Sequence, residues 1–308
     1  MKLTTPKDAM DPIVRRLREV AEQSPDLRDA ARAYEVVLPI LRDADLSVAP
    51  LSLTSGQIHA KMERGMPLLH DIELDFDAEA AQKLMIRLAR AIEDFDKKNQ
   101  PALLRLPWTK TRNRPHAATM IRLALEEKRL DACELLPHVA SGGGGPISEI
   151  AGQLGLDSGL VATLTKNALK PALRAWRREV APKAEGISWN RGECFVCGAA
   201  AALGELRENG QVKHLRCGSC GADWTFGRLR CIHCGNEDHR TQRYFSFEKK
   251  DAGMRVEACD RCKGYLKVIF AFSPTPVELL PVEDLATLHL DYAAQERGYS
   301  RPGAGTAP

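Results

Sequence analysis

The sequence predicts a mainly α-helical N-terminal domain followed by a small β-rich C-terminal domain with two ribbon-like metal knuckle sites. Three observations carry that expectation. From Asp11 to about Val180, apolar residues return at three- and four-residue intervals, the period of a helix. Eight of the nine cysteines lie between Cys194 and Cys262 as four C-x-x-C pairs. At 308 residues the chain exceeds the usual size of one hydrophobic core, so two domains are expected.

Taken in order, a first helix opens at Asp11-Pro12, a cap followed by proline at the first helical position, and buries Ile13, Leu17 and Val20. Ser24-Pro25 ends it. A second starts at Asp26 with Leu27, Ala31, Tyr34, Leu38 and Leu41 facing inward, and Pro39 is expected to kink or shorten it. Leu51 to Asp75 fits no single element. Asp77 caps a helix reaching Lys97, whose stripe is Ala81, Leu84, Met85, Leu88, Ile92 and Phe95. His116 to Leu136 reads as one more helix, and Gly142 to Gly145 as a flexible loop. Ile147 to Arg178 returns to helical spacing. Composition then shifts at Pro182 to Gly192, and runs such as Thr241 to Phe247 and Tyr265 to Phe272 read as short strands between turns. The expected division is a helical domain at 1–185, a tandem metal-binding domain at 186–300 and a disordered tail at 301–308.

Composition narrows the function. Apolar residues make up 44% and charged residues 28%, the values of an ordinary globular protein. The start, MKLTTPKDAMDP, has no apolar signal core, and the longest strongly apolar run is Val268 to Phe272, so neither export nor a membrane span is expected. A cytoplasmic, reducing compartment follows, in which cysteine pairs serve as metal ligands rather than disulfides. The net charge of +3 is small, and residues 186–308 hold 16 Lys and Arg against 15 Asp and Glu. Thiolate centres would turn that region negative, which argues against a nucleic-acid partner.

The pairs are Cys194/Cys197, Cys217/Cys220, Cys231/Cys234 and Cys259/Cys262. Two thiolates two residues apart hold one ion in a tight turn, and a glycine after the second suits the left-handed backbone that closes it. Three pairs have that glycine; the fourth has Lys263-Gly264. The spacings C-x2-C-x19-C-x2-C and C-x2-C-x24-C-x2-C leave room for a hairpin. They group Cys194, Cys197, Cys217 and Cys220 around one ion, and Cys231, Cys234, Cys259 and Cys262 around another. An interleaved grouping also satisfies the spacing, since ten residues separate the middle pairs. Four protein ligands leave no open position for water or substrate, so no metal catalysis and no catalytic residue are expected. Zinc and iron both accept such a cage.

Other signals have plainer readings. Ile147 to Lys170 has helix-turn-helix spacing, with Ala151 and Val161 at the packing positions and Gly155 at the turn, but it offers mainly Thr163 and Lys166 to a groove. A structural helix pair is expected, with Lys166 and Lys170 replaceable by glutamate. His214, His233 and His239 are expected to support or surround the sites. Cys133 reads as a small buried hydrophobe.

Four C-x-x-C knuckles behind a helical domain, with Trp224 and Arg230 between the second and third, resemble the FdhE family of formate dehydrogenase accessory proteins. The segments Cys217-Gly-Ser-Cys220-Gly-Ala-Asp-Trp224 and Cys259-Asp-Arg-Cys262-Lys-Gly-Tyr265 carry the resemblance, and Gly65-Met-Pro67-Leu-Leu adds to it. The resemblance implies rubredoxin-like metal sites with two iron ions per chain, zinc being the alternative. It implies a non-enzymatic cytoplasmic maturation factor whose partner is the catalytic subunit of an exported respiratory formate dehydrogenase. It leaves the oligomeric state open. A rubredoxin-like electron carrier and a zinc-ribbon DNA-binding regulator are the competing readings.

Overall fold

The computed structural model describes residues 10–103, 114–140, 145–246 and 253–301. Helix α1 (Pro12–Gln23) begins where Asp11 Oδ1 accepts a hydrogen bond from the Ile13 amide at 2.8 Å, and it buries Ile13, Leu17 and Val20. Helix α2 (Arg28–Arg42) runs through Pro39 and is not shortened there. Ala30, Ala31, Leu38 and Leu41 are buried along it, and that packing outweighs the one backbone hydrogen bond that proline cannot make. The unassigned stretch contains α3 (Ser55–Glu63), opened by a reciprocal capping box between Thr54 and Gln57.

Helix α4 (Ala78–Leu103) is capped by Asp77, whose Oδ1 accepts from the Ala80 amide at 2.8 Å, and loses helical geometry at Asn99. The single helix expected over His116 to Leu136 is instead two, α5 (Arg114–Glu126) and α6 (Ala132–Ala140). Between them Lys128 takes a left-handed φ of 57°, and the amides of Arg129 and Leu130 turn back to the Ala124 carbonyl at 2.8 and 2.9 Å. Cys133 is exposed, correcting the buried reading: on α6 the inward positions belong to Ala132, Leu135 and Leu136. The glycine-loop expectation at 142–144 lies outside the described residues, while Gly145 opens α7 (Gly145–Gln153). Helix α8 (Ser158–Val180), capped by Asp157, is the central helix of the body, with ten buried side chains from Val161 to Val180.

Beyond it lie β1 (Ala201–Arg207), β2 (Val212–Cys217), β3 (Asp223–Phe226), β4 (Gln242–Phe245), β5 (Met254–Cys259) and β6 (Tyr265–Phe270). They form one sheet in the order β3-β2-β1-β6-β5-β4. Each half of that order is the same unit: knuckle, strand, strand, knuckle, strand. The two units join side by side through a parallel β1–β6 pairing, Gly204 opposite Val268 and Leu206 opposite Phe270, while every other neighbour is antiparallel.

Two short helices close the chain, α9 (Leu280–Ala286) and α10 (Leu288–Glu296). Leu290 and Ala294 of α10 pack on Val256, Ala258 and Tyr265 of the sheet. Helix α9 reaches the body through Arg16, whose guanidinium donates to both Glu283 oxygens at 2.7 and 2.9 Å. Arg301, at the head of the expected tail, is held by Asp284 at 3.0 Å. One apolar cluster runs from Leu17 and Leu88 through Trp176 to Phe195, Cys217 and Trp224, so sheet and body share a core.

Candidate metal centres

The four knuckles share one backbone geometry. In each, the amide of the first cysteine donates to a carbonyl five residues ahead: Ala199, Ala222, Asn236 and Gly264, at 2.8 to 2.9 Å. The amide following the second cysteine returns to the first cysteine's carbonyl, at 2.8 to 3.0 Å. The residue making that return must be left-handed. Gly198, Gly221 and Gly235 have φ of 75°, 77° and 69°, and Lys263 takes the same conformation at 57°.

That geometry brings the sulfurs together in sequential groups. The Sγ atoms of Cys194, Cys197, Cys217 and Cys220 (site I) all lie within 4.8 Å of one another, as do those of Cys231, Cys234, Cys259 and Cys262 (site II). The nearest separations are 3.5 Å for Cys194–Cys220 and Cys197–Cys217, 3.6 Å for Cys231–Cys262 and 3.8 Å for Cys234–Cys259. A tetrahedron with metal–sulfur bonds of about 2.3 Å has edges of about 3.8 Å, so both cages fit a tetrathiolate ion.

The two cages differ in surroundings. At site I, Cys194, Cys217 and Cys220 are buried and Cys197 is half-buried. The other three sulfurs of the cage hold Cys217 well below an ordinary thiol, while burial pushes Cys194 and Cys220 up. Metal uptake would therefore displace protons from this cage. At site II, Cys231 and Cys259 are buried but Cys234 and Cys262 are exposed. Burial pushes Cys259 up, but the amides of Cys262 and Arg261 and the Cys234 thiol bring it down to about 7. Asn236 Nδ2 lies 3.7 Å from the Cys259 sulfur, and His233 Nε2 lies 3.1 Å from the Tyr265 carbonyl oxygen, tying the third knuckle to β6. His214 bonds Asp223 at 2.7 Å, and His239 begins a 3-10 turn (His239–Thr241).

Sequence reasoning missed what braces site I. The strip after α3 lies along the first knuckle: the Leu68 and Leu69 amides donate to the carbonyls of Phe195 and Val196 at 2.8 and 2.9 Å. Trp224 packs edge-on to Phe195 at 6.4 Å and donates to the Arg191 carbonyl at 3.0 Å. From α8, Lys170 and Arg174 bring positive charge towards Cys217 and Cys220. Burial and Arg174 depress the Lys170 ammonium to about 8, with Cys217 and Asp284 opposing. Lys170 is therefore not the free surface residue its spacing suggests, whereas Lys166 is exposed. The signal was the Gly65-Met-Pro67-Leu-Leu strip, which carries no metal ligand.

Among the described residues, no helix is long and apolar enough to cross a membrane. The chain matches the family of FdhE C-terminal domains over residues 229–306. An FdhE homologue of Stutzerimonas stutzeri is 38% identical over 111 residues, 35% of either chain. One from Pseudomonas aeruginosa is 29% identical over 163 residues, 50% of this chain and 52% of the relative. The chain thus spans about a third to a half of the length of the curated relatives it matches. The crystal structure of the FdhE protein from Pseudomonas aeruginosa has a TM-score of 0.56 at 26% identity, covering 94% of this chain and 92% of that one.

Proposed function

This chain belongs to the FdhE family, and from that premise we propose that it is a non-enzymatic accessory factor that acts on a formate dehydrogenase. Its client is the catalytic subunit of an exported respiratory enzyme, which it binds in the cytoplasm and which depends on it for activity. The observation that carries this reading is the fusion of two closed four-thiol cages to a helical body through one core. A cage with four protein ligands has no position for substrate, so its contribution is to fix a surface for another protein.

Cys194, Cys197, Cys217 and Cys220 would hold one ion, and Cys231, Cys234, Cys259 and Cys262 a second. Iron is the ion the family resemblance suggests, with zinc the alternative; iron would supply one-electron chemistry and zinc none. An electron-carrier reading draws support from the exposure of Cys234 and Cys262, and a reversible potential in the iron-loaded protein would favour it. A DNA-reading role draws little from α8: ten of its side chains are buried in the body, and the exposed ones in its first half, Ser158, Gly159, Thr163 and Lys166, offer a groove one cation and few base-reading groups.

The test is a deletion strain assayed for respiratory formate oxidation, with the purified chain tested for capture of the catalytic subunit. The expected result is a synthesised but inactive subunit, rescued by the wild-type chain. Full activity without the chain would overturn the reading.

A further inference from the structure

We propose that the two cages have different tasks: site I is locked, and Cys234 and Cys262 make site II an open edge at which an external thiolate can take over ligation. This inference rests on the metal-binding reading above and goes beyond it by assigning exchange to one site.

The contrast is built into the fold. Site I is closed from three directions. The Leu68–Leu69 strip hydrogen-bonds its first knuckle, and Pro67 stands so close to Gly198 that an added Cβ would meet it at 3.3 Å. Val277 covers the second knuckle, where a Cβ on Gly221 would meet it at 2.6 Å. Helix α8 supplies Lys170 and Arg174 as counter-charges beside Cys217 and Cys220. Cys194, Cys217 and Cys220 are buried behind this cover, and Cys197 alone of the four is half-buried.

Site II has no such cover over half of its ligands. Cys234 and Cys262 are exposed, and Arg261 and Lys263, both exposed, flank Cys262. Asp260 offsets Lys263 at 3.1 Å, and Arg261 adds a further positive charge beside the accessible sulfur, which favours the approach of an anionic thiolate. Cys231 and Cys259 stay anchored below, held by their knuckle turns and by Asn236. The exchange balances simply. Cys262 yields its place to the incoming thiolate and takes the proton that the incoming thiol gives up, so the number of sulfur ligands and the oxidation state are unchanged. The partner this chemistry fits is a protein or peptide presenting a cysteine thiolate.

The full-length chain loaded with two equivalents of zinc tests this. It would be mixed with glutathione and a chromogenic chelator, and after timed pulses of N-ethylmaleimide the labelled cysteines would be mapped by mass spectrometry. The expected result is release in two phases separated by about tenfold or more in rate, the fast phase labelling the site II cysteines while Cys194, Cys217 and Cys220 stay protected. A faster first phase with glutathione than without supports attack by thiolate. Release of both equivalents at one rate, or earlier labelling of site I, would overturn the proposal. A chain that takes up no zinc would instead remove the metal-binding reading on which it stands.

Discussion

The Leu68 amide donates to the Phe195 carbonyl at 2.8 Å, so a loop of the helical body is paired with the turn that presents two ligands of site I. Phe195 and Leu68 are both buried in the shared core. The stability of the helices is therefore coupled to site I more strongly than to site II. Cys194→Ser should lower the thermal midpoint of the helical signal, while Cys259→Ser should loosen the far half of the sheet and leave that midpoint closer to wild type. Loss of a structural metal ligand commonly costs several kcal/mol, so the difference should be plain in circular dichroism melts of the zinc-loaded variants. Equal effects of the two substitutions would show that the strip does not couple them.

Lys263 occupies the left-handed position that glycine fills in the other three knuckles. A side chain there costs about 1–2 kcal/mol relative to glycine. It recovers part of that through Asp260 at 3.1 Å and the Tyr299 ring at 5.3 Å, contacts kept weak by the exposure of the Lys263 side chain. Lys263→Gly should therefore stabilise the C-terminal half by up to about 1 kcal/mol, whereas Lys263→Val should destabilise it. Denaturant midpoints of both variants check this, and a destabilising Lys263→Gly would mean that the ion pair outweighs the backbone.

The cages were legible because ligand spacing and turn glycines are local, and α1 because Asp11-Pro12 is a local cap. Most strands were not, because charged residues sit where alternation demands apolar ones. Glu205 of β1 is fully buried against Arg216 of β2, and Lys213 of β2 is buried on Glu257 of β5 at 2.5 Å; even in β6, whose run did read as a strand, Lys267 is buried on Asp291 at 2.5 Å. Each ion pair forms only once distant strands or helices meet, so no window of sequence reveals it. The same holds for α10, whose buried Asp291 also accepts from the Tyr265 hydroxyl at 2.8 Å. At Lys128 the chain turns without the glycine that would have signalled it.

Glu93 gives the helical body a pH dependence of known sign. It is 3% exposed, and Arg122 and Lys97 each donate to it at 2.6 Å. The Arg122 hydrogen bond holds its carboxyl near 2, against an ordinary 4.5, with burial opposing. A carboxyl depressed by folding contributes stability that is fully present above its unfolded value and is lost as the pH falls through its folded value. The window is therefore pH 4.5 down to 2. Glu93→Gln should be less stable at neutral pH by roughly 2 kcal/mol, and its stability should fall less steeply than wild type across that window. Urea unfolding at a series of pH values checks the difference, and parallel curves would refute it.

Lys166 and Lys170 stand one turn apart, and spacing alone gives them the same exposed face. The structure separates them. Lys166 is in solvent, whereas Lys170 is drawn towards Cys217, with Arg174 a further turn along beside Cys220. A buried four-thiolate cage carries net negative charge once it holds a divalent ion, and inside a protein such charge needs a nearby cation. Lys170→Glu places a second anion there and should weaken zinc binding at site I by about tenfold or more, equivalent to about 1.4 kcal/mol. Lys170→Met, which keeps the bulk and removes the charge, should fall between that variant and wild type. Lys166→Glu should stay within about 0.5 kcal/mol of wild type in stability and bind both equivalents normally. Competition against a chelator of known affinity, with circular dichroism to confirm that each variant is folded, separates the cases. A folded Lys170→Glu chain holding two zinc equivalents as tightly as wild type would show that α8 packs against site I without balancing its charge.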